Sequence, residues 1–239
     1  MGRLFMRCGA AVLLVFCLSS AGDTGTDQTR IVESMMHAIA ARFDKVVAYT
    51  RLQRYSASDD RFGLKAEMLV RIRYDHSTGK TFEILSRVGS PLIQSRVFDP
   101  LLHEEVETSK LLAHEGSLLT TQNYSFRMTG EEVFAGRRCY LLQLNPLRRD
   151  KHLLHGRAWV DMEDYGVVHV EGRPADSLSF WIGKPVIIQD FAKLSGYWFA
   201  VRRHSVMNSL LTGSSELTVE YTDYQIRLKP PTLTEPNRQ

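Results

Sequence analysis

The stretch that decides the fold is residues 157–173, RAWVDMEDYGVVHVEGR. Apolar side chains recur on both sides of the sequence EDYG at residues 163–166. Alternation with a period of two is typical of a strand with one buried face, and turn-forming residues between two such runs are typical of a hairpin. The stretch therefore predicts two antiparallel strands joined by a short turn.

The same pattern continues through the C-terminal half of the chain. Strands are predicted at residues 124–133, 137–145, 155–163, 167–173, 180–194, 198–207 and 216–227. Turn signals separate them, among them Ala135-Gly136 and Ser195-Gly196. Short connections pair neighbouring strands antiparallel. Three earlier strands, beginning near Val46, Leu64 and Lys80, bring the predicted number to about ten.

Two helical regions precede this series. The first carries apolar residues at helical spacing: Ile31, Val32, Met35, Met36, Ile39, Ala40 and Phe43. The second begins with Ser90 as N-cap and Pro91 at the first helical position, and is predicted to run to about Ala113. Pro100 is expected to break or restart it, because proline removes a hydrogen bond inside a helix.

Together these elements predict a mainly β (α+β) protein. Long antiparallel strands with one apolar face each, and two early helices, favour a curved sheet whose concave side the helices cover. Strands of about a dozen residues are longer than usual and favour a barrel or half-barrel over a sandwich. We therefore expect a strongly curved antiparallel sheet of about ten strands, a barrel or half-barrel, with the helices on its concave side.

The N-terminus predicts export. Two arginines precede the apolar run AAVLLVFCL at residues 10–18, and small residues follow at 19–21. Residues 1–21 are therefore predicted to be a cleaved signal peptide, so the mature protein is expected to be secreted. An anchored lipoprotein, lipidated at Cys17, is the second interpretation, because the bulky Phe16 precedes that cysteine.

Charge and cysteine content exclude several classes of protein. Without residues 1–21, Lys+Arg falls from 30 to 28 against 27 acids, and the net charge from +3 to +1. Such a chain is not a basic nucleic-acid binder. Cys139 then stands alone, so neither an intramolecular disulfide nor a cysteine-based zinc site is expected. No linker divides residues 22–228, which predicts one domain followed by a disordered, proline-rich tail at 229–239.

The order of elements resembles a known superfamily. The chain is similar to the outer-membrane lipoprotein-sorting proteins in the order of its elements: a signal peptide, an amphipathic helix, three strands and a helical insertion. The similarity continues in the hairpin WVDMEDY at 159–165, with Val168 and Glu171 on its return strand, and in the closing segment ELTVEYTDY at 216–224. That group includes LolA/LolB-like carriers and RseB/MucB-like sensors. The resemblance implies a periplasmic protein that folds as an unclosed antiparallel β-barrel, with a helical lid over a hydrophobic cavity that accepts acyl chains. The arginine that helps latch the lid in those carriers has no matched position in this sequence.

The residues that we expect to line such a cavity are the alternating apolar positions of the strands and one side of the first helix. They are Met35, Met36, Ile39, Phe43, Leu64, Ala66, Met68, Val70, Ile72, Ala158, Val160, Met162, Leu217, Val219 and Tyr221. Methionines suit irregular apolar ligands, and each buried methylene is worth about 0.8 kcal/mol. The alternative is that these residues form an ordinary packed core.

Three functions are compatible with the sequence. The first is a carrier or chaperone for lipids or lipoprotein acyl chains, working with inner- or outer-membrane protein partners and without cofactor, metal or nucleic acid. The second is an envelope-stress sensor or adaptor that docks a protein partner through an edge strand or through Arg148, Arg149, Lys151 and Arg157. The third is a secreted hydrolase, although the sequence has no recognisable catalytic motif.

Overall fold

Ten strands and three helical segments make up the described part of the chain. The structure, a computed structural model, describes residues 24–110, 115–176, 185–209 and 213–230. The helices are α1 (Thr24–Lys45), α2 (Pro91–Ile93) and α3 (Asp99–Glu107), with a π-helical turn at Gln94–Phe98. The strands are β1 (Val46–Asp59), β2 (Leu64–Asp75), β3 (Gly79–Gly89), β4 (Tyr124–Phe134), β5 (Arg137–Pro146), β6 (Leu154–Asp161), β7 (Val167–Pro174), β8 (Val186–Leu194), β9 (Tyr197–Ser209) and β10 (Gly213–Leu228).

Three sequence predictions fall partly or wholly outside the described residues. The signal peptide at residues 1–21 lies there, as do residues 231–239 of the predicted tail. The first part of the strand predicted at 180–194 lies there too, and β8 is described from Val186 onward.

The described strands form a single antiparallel sheet, which is not closed. Their order is β3-β2-β1-β10-β9-β8-β7-β6-β5-β4, so the first and last strands pair in the middle and β3 and β4 are the two edges. The two edges are consecutive in sequence, and the helical insertion, residues 91–107, lies between them. The predicted fold class, a mainly β unclosed barrel with a helical element, is confirmed.

Local turn chemistry fixes the hairpins. Ala135 and Gly136 have φ values of 47° and 80°, and Ser195 and Gly196 have 50° and 85°. Two successive residues in the left-handed region make a type I′ turn, whose twist matches that of the strands that it joins. The turns predicted at these two positions are therefore confirmed.

The helical insertion agrees with its prediction in part. A π-helical turn at Gln94–Phe98 ends where α3 begins, and Pro100 lies in the first turn of α3, so the helix restarts at this proline as expected. α3 itself ends at Glu107, before the predicted end near residue 113, which lies outside the described residues. The Thr108 hydroxyl donates to the Glu104 carbonyl at 2.8 Å and the Ser109 hydroxyl to the Val106 carbonyl at 2.6 Å. Such side-chain bonds compete with the helical ladder and favour termination.

The sheet has two distinct faces. We call the face that α1 and the helical insertion cover the inner face, and the opposite face the outer face. On β6, Ala158 and Val160 are buried against α1, whereas Trp159 packs on the outer face with Cys139 and Val168. The period of two in the sequence therefore sorts side chains to the two faces as predicted.

Candidate functional site

One apolar cluster on the inner face lies under α1, and we call it the α1 cluster. Ile31, Val32 and Met35 of the helix are buried there against strands β5, β6 and β7. The strand side chains in this cluster include Leu142, Leu144, Ala158, Val160 and Val170. Of the predicted lining residues, Met35, Met36, Ile39, Ala158 and Val160 belong to it. The helix therefore places its apolar side on the face that the sequence assigned to ligand binding.

A second apolar cluster lies under the helical insertion, and we call it the α3 cluster. Ile93, Phe98 and Leu102 of the insertion are buried against β1, β2 and β10. Eight predicted lining residues belong to this cluster: Leu64, Ala66, Met68, Val70, Ile72, Leu217, Val219 and Tyr221. The expected lining is thus divided between two separately covered halves of one face.

The remaining two predicted lining residues lie outside both clusters. Phe43 stands at the end of α1, where the guanidinium carbon of Arg42 is 4.6 Å from its ring centre. Met162 is half-buried in the turn that follows β6. Neither belongs to the buried part of the inner face.

Clefts in the described residues do not coincide with the predicted lining. A groove of about 560 Å³ runs between the start of α1 and the edge strand β4. A second cleft of about 350 Å³ lies where β3 meets the helical insertion. Neither is lined by any of the fifteen residues predicted to line a cavity. The buried apolar side chains of the inner face pack against its own helices, so a ligand that replaces those contacts requires a helix to move.

The α3 helix is fastened to the sheet by a largely buried carboxylate, Glu105, whose side chain is 19% exposed. Arg51 of β1 donates to one of its oxygens at 2.7 Å, and Lys80 of β3 donates to the same oxygen at 2.8 Å. The Gln53 amide donates to the other oxygen at 2.9 Å. The Tyr55 hydroxyl lies 3.4 Å from that second oxygen. We call this group of five side chains the Glu105 latch.

Charges dominate the protonation of the Glu105 latch. Burial alone would raise the pKa of the Glu105 carboxyl, but the positive charges of Lys80 and Arg51 outweigh it and hold that pKa well below its usual range. Burial raises the pKa of Tyr221 beside the latch to about 12. The carboxylate is therefore ionised, and the tyrosine neutral, throughout the physiological range.

A β-bulge brings Tyr224 to the latch. The pairing of β1 with β10 shifts between Thr50 and Leu52, and Asp223 has a φ of 53°. The extra residue turns Tyr224 toward the inner face, where its hydroxyl accepts a 2.6 Å bond from Arg51 and donates to the Ala200 carbonyl at 2.7 Å. Bulges commonly re-aim a side chain in this way.

Two ion pairs and one buried amide also hold the helical insertion. Arg87 of β3 pairs with Asp99 at the start of α3. Lys151, in the loop before β6, pairs with Glu104. At the other end of the insertion, the buried Gln94 amide donates to the Glu67 and Val88 carbonyls at 2.8 and 3.0 Å. Polar bonds therefore contribute to holding this lid alongside its apolar anchors.

The residues predicted to dock a partner are each bonded within the protein. Arg148 donates to the Asn123 side chain at 2.7 Å and to the Gly116 carbonyl at 2.6 Å. Arg149 pairs with Asp176, Lys151 with Glu104, and Arg157 with Glu171. Their role in docking stays a prediction, and Arg149 is the most exposed of the four, at 81% of its side chain.

The described residues contain no group of three or more His, Cys, Asp and Glu side chains that could hold a metal ion. His169 on the outer face lies 2.6 Å from Asp190, and its ring lies 4.8 Å from that of Trp159. None of the described helices is long and apolar enough to cross a membrane.

The sequence did not identify the Glu105 latch. Arg51 and Gln53 alternate with Leu52 on β1, and polar residues at every second position indicate a solvent-facing side. Both are buried instead, at 6% and 0% exposure. The available signal was Tyr55, an aromatic residue at the same spacing as the two polar ones, which marks that side as the inner one.

Comparison with known proteins yields structural neighbours only. No family model and no curated protein matches the chain. A putative outer-membrane lipoprotein-sorting protein domain from Vibrio parahaemolyticus is 14% identical over 85% of this chain and 94% of its own, with a TM-score of 0.47. A DUF1329 family protein from Desulfovibrio piger is 11% identical over 83% and 92%, with a TM-score of 0.43. A LolA superfamily protein from Nitrosomonas europaea is 12% identical over 84% and 94%, with a TM-score of 0.40.

MucB is matched as well, at 11% identity and a TM-score of 0.29. Both groups named from the sequence, the lipoprotein-sorting proteins and MucB, are thus among the structural neighbours of this chain. At these identities the likeness concerns the fold alone.

Proposed function

We propose that the protein is a periplasmic, non-enzymatic carrier or chaperone that binds lipids or lipoprotein acyl chains on its inner face. The observation that carries the proposal is the cover of that face. Its buried apolar side chains pack against α1 and the helical insertion, not against a second sheet. A helix can move away from a sheet that stays paired through its own backbone bonds, so apolar surface can be exposed without unfolding the barrel.

Burial of acyl chains supplies the binding energy in this proposal. Each methylene removed from water is worth about 0.8 kcal/mol, so a chain of a dozen carbons gains several kcal/mol even if only part of it is buried. Met35 and Met68 lie at the centres of the two clusters, and methionine adapts to irregular apolar partners. The acyl chain would take the place of the helix side chains that occupy the face in the closed form.

The Glu105 latch provides the control that a carrier needs. Apolar contacts alone do not specify one closed position of the lid. The Glu105 carboxylate does, because its charge is paired only where it meets Arg51 and Lys80. Closed and open forms are therefore separate states, and a ligand shifts their populations by its preference for one of them. Donor and acceptor proteins in the inner or outer membrane would act by favouring the open form.

The proposal is tested by titrating protein that lacks residues 1–21 with a fluorescent fatty acid such as cis-parinaric acid. Saturable binding near one probe per chain is expected. Glu105→Gln should bind the probe more tightly than wild type, because loss of the latch raises the population of the open form that accepts the acyl chain. Glu107→Gln is the matched control, because that carboxylate lies on the same helix with 67% of its side chain exposed. Absence of saturable binding would show that the inner face is ordinary core.

A second candidate function, an adaptor that binds a protein partner, rests on the two open edges of the sheet. Among the described strands β4 pairs with β5 alone, and the 560 Å³ groove lies between β4 and the start of α1, where the Gln28 side chain bonds part of the outer edge of β4. An extended peptide can add to such an edge. Charge reversal at Arg149 is the cleaner test of the predicted basic docking residues, because Arg148 also holds the loop at Gly116. A stable complex lost in Arg149→Glu would favour the adaptor.

A further inference from the structure

Cations and aromatic rings meet where the end of α1 approaches the Glu105 latch. The Tyr49 ring lies 4.9 Å from Tyr74, 5.8 Å from Phe199 and 5.9 Å from Tyr224, measured between ring centres. Arg42, in the last turn of α1, donates to the Trp198 carbonyl at 3.0 Å. Its guanidinium carbon lies 5.7 Å from the centre of the Phe199 ring. We call this place the cationic junction.

Positive charge at the cationic junction exceeds negative charge. Arg42, Arg51 and Lys80 are cationic, and within the described ranges Glu105 is the carboxylate with which Arg51 and Lys80 form ion pairs. Arg42 forms no ion pair with any described carboxylate, and its bonded partner is a backbone carbonyl. The aromatic faces offset part of this charge, since Arg51 also lies 4.4 Å from the centre of the Tyr221 ring. A second anion would offset the rest.

An unsatisfied donor points to the same conclusion. The Arg51 side chain is 7% exposed, and its Nε is buried without a hydrogen-bond partner. Buried donors in folded proteins are nearly always bonded, and one attached to a charged group is especially costly. Arg42, Tyr49 and Tyr74 are only half-buried, so an anion can approach from solvent beside the end of α1.

We propose that the cationic junction binds the anionic end, a carboxylate or a phosphate, of an amphiphile whose acyl chain lies on the inner face. This inference rests on the function proposed above. The junction lies between α1 and α3, so a ligand head held there can direct its chain under either lid. A guanidinium presents paired donors that match the oxygens of a carboxylate or phosphate. Arg42 donates one bond to the Trp198 carbonyl, and its other N–H groups can bind the anion.

Competition with a neutral fluorescent acyl probe tests the inference. The competitors are dodecanoate, dodecyl phosphate and dodecanol, which share one chain length and differ in the head group, each below its micelle concentration. For wild type we expect the two anions to compete at least about tenfold more strongly than the alcohol, as one charge-assisted bond provides. In Arg42→Met the anions should fall to the level of dodecanol, while dodecanol itself is unchanged.

Two variants secure the interpretation. Arg30→Met removes the same side chain from the exposed side of the same helix and should preserve the preference for anions. Arg42→Lys keeps the charge without the paired donors and should retain part of the preference for anions. Thermal unfolding of each variant shows whether it is folded.

The outcomes separate this inference from the function on which it rests. Equal competition by all three amphiphiles in wild type would refute the anion site and leave the acyl carrier intact. Failure of the neutral probe to bind would refute the carrier itself. Inorganic phosphate alone should not displace the probe but should weaken competition by dodecanoate. Phosphate could instead leave competition by dodecanoate unchanged while Arg42→Met still weakens that competition. Arg42 would then act through packing, and the anion site would be wrong.

Discussion

Replacement of Glu105 by glutamine tests the latch most sharply. Glutamine keeps the shape of the side chain and one acceptor oxygen but removes the negative charge. Arg51 and Lys80, whose side chains are 7% and 18% exposed, then lose their common counter-charge. The variant therefore isolates electrostatic fastening of the lid from its packing, because Phe98 and Leu102 stay in place.

The magnitude follows from burial. Removal of one partner from a buried ion pair costs about 3–5 kcal/mol. Because the side chains of Glu105 and Lys80 are still 19% and 18% exposed and the amide still accepts hydrogen bonds, we expect a loss at or just below the lower limit of this range, about 2–3 kcal/mol of unfolding free energy. For a domain of this size that corresponds to a fall of roughly 5–10 °C in Tm.

The loss should depend on pH in a defined direction. The pKa of Glu105 is lowered in the folded protein, so its contribution is fully present above the unfolded-state pKa and is lost as the pH falls toward the folded-state value. The free-energy gap between wild type and Glu105→Gln should therefore be constant from about pH 5 to 7. Below about pH 4.3 it should narrow by at most about 1.4 kcal/mol per pH unit.

Urea unfolding followed by circular dichroism gives the global free energy, and hydrogen exchange over residues 91–107 reports local opening of the insertion. Glu107→Gln is the control, and its exposed carboxylate should cost less than about 0.5 kcal/mol. A difference below about 0.5 kcal/mol for Glu105→Gln, with unchanged exchange in the insertion, would refute the latch.

Three further predictions follow from packing. Phe98 is a fully buried anchor of the lid, so Phe98→Ala should lower the unfolding free energy by about 3–5 kcal/mol or open the insertion locally, and hydrogen exchange distinguishes the two. Normal exchange and normal stability would contradict the role of Phe98. Gly156→Ala should lower the unfolding free energy in urea by about 2 kcal/mol or more, because the added Cβ would lie 1.9 Å from the Glu171 carbonyl oxygen. A neutral effect would show that β6 and β7 separate easily. Burial raises the pKa of the Cys139 thiol, so in native protein lacking residues 1–21 it should resist Ellman's reagent. It should react fully in urea, and rapid labelling of the native protein would contradict its burial.

The strands and hairpins were predictable because their signals are local. Ala135-Gly136 and Ser195-Gly196 carry residues that adopt the left-handed region, and alternating apolar residues flank them. The pairing of β1 with β10 was not predicted from these signals, since it joins residues such as Tyr55 and Val219 that are far apart in the sequence. Register between distant strands depends on the whole sheet, which no short window contains.

The candidate site was predictable in part for the same reason. Alternation assigned Met68 and Val160 to one face, but it does not distinguish a cavity from a core, and the structure fills that face with helix side chains. The Glu105 latch requires β1, β3 and α3 to meet, so its members carry no joint signal in the sequence. The bulge at Asp223 likewise appears only in the register.

The central claim is that the inner face holds an acyl chain, and native mass spectrometry tests it most directly. Residues 22–239 would be purified without detergent from a Gram-negative periplasm, and bound material would be extracted and identified. The account predicts discrete added masses that extract as phospholipid or acylated peptide. A clean mass of the protein alone, together with no binding of fatty-acid probes, would contradict it.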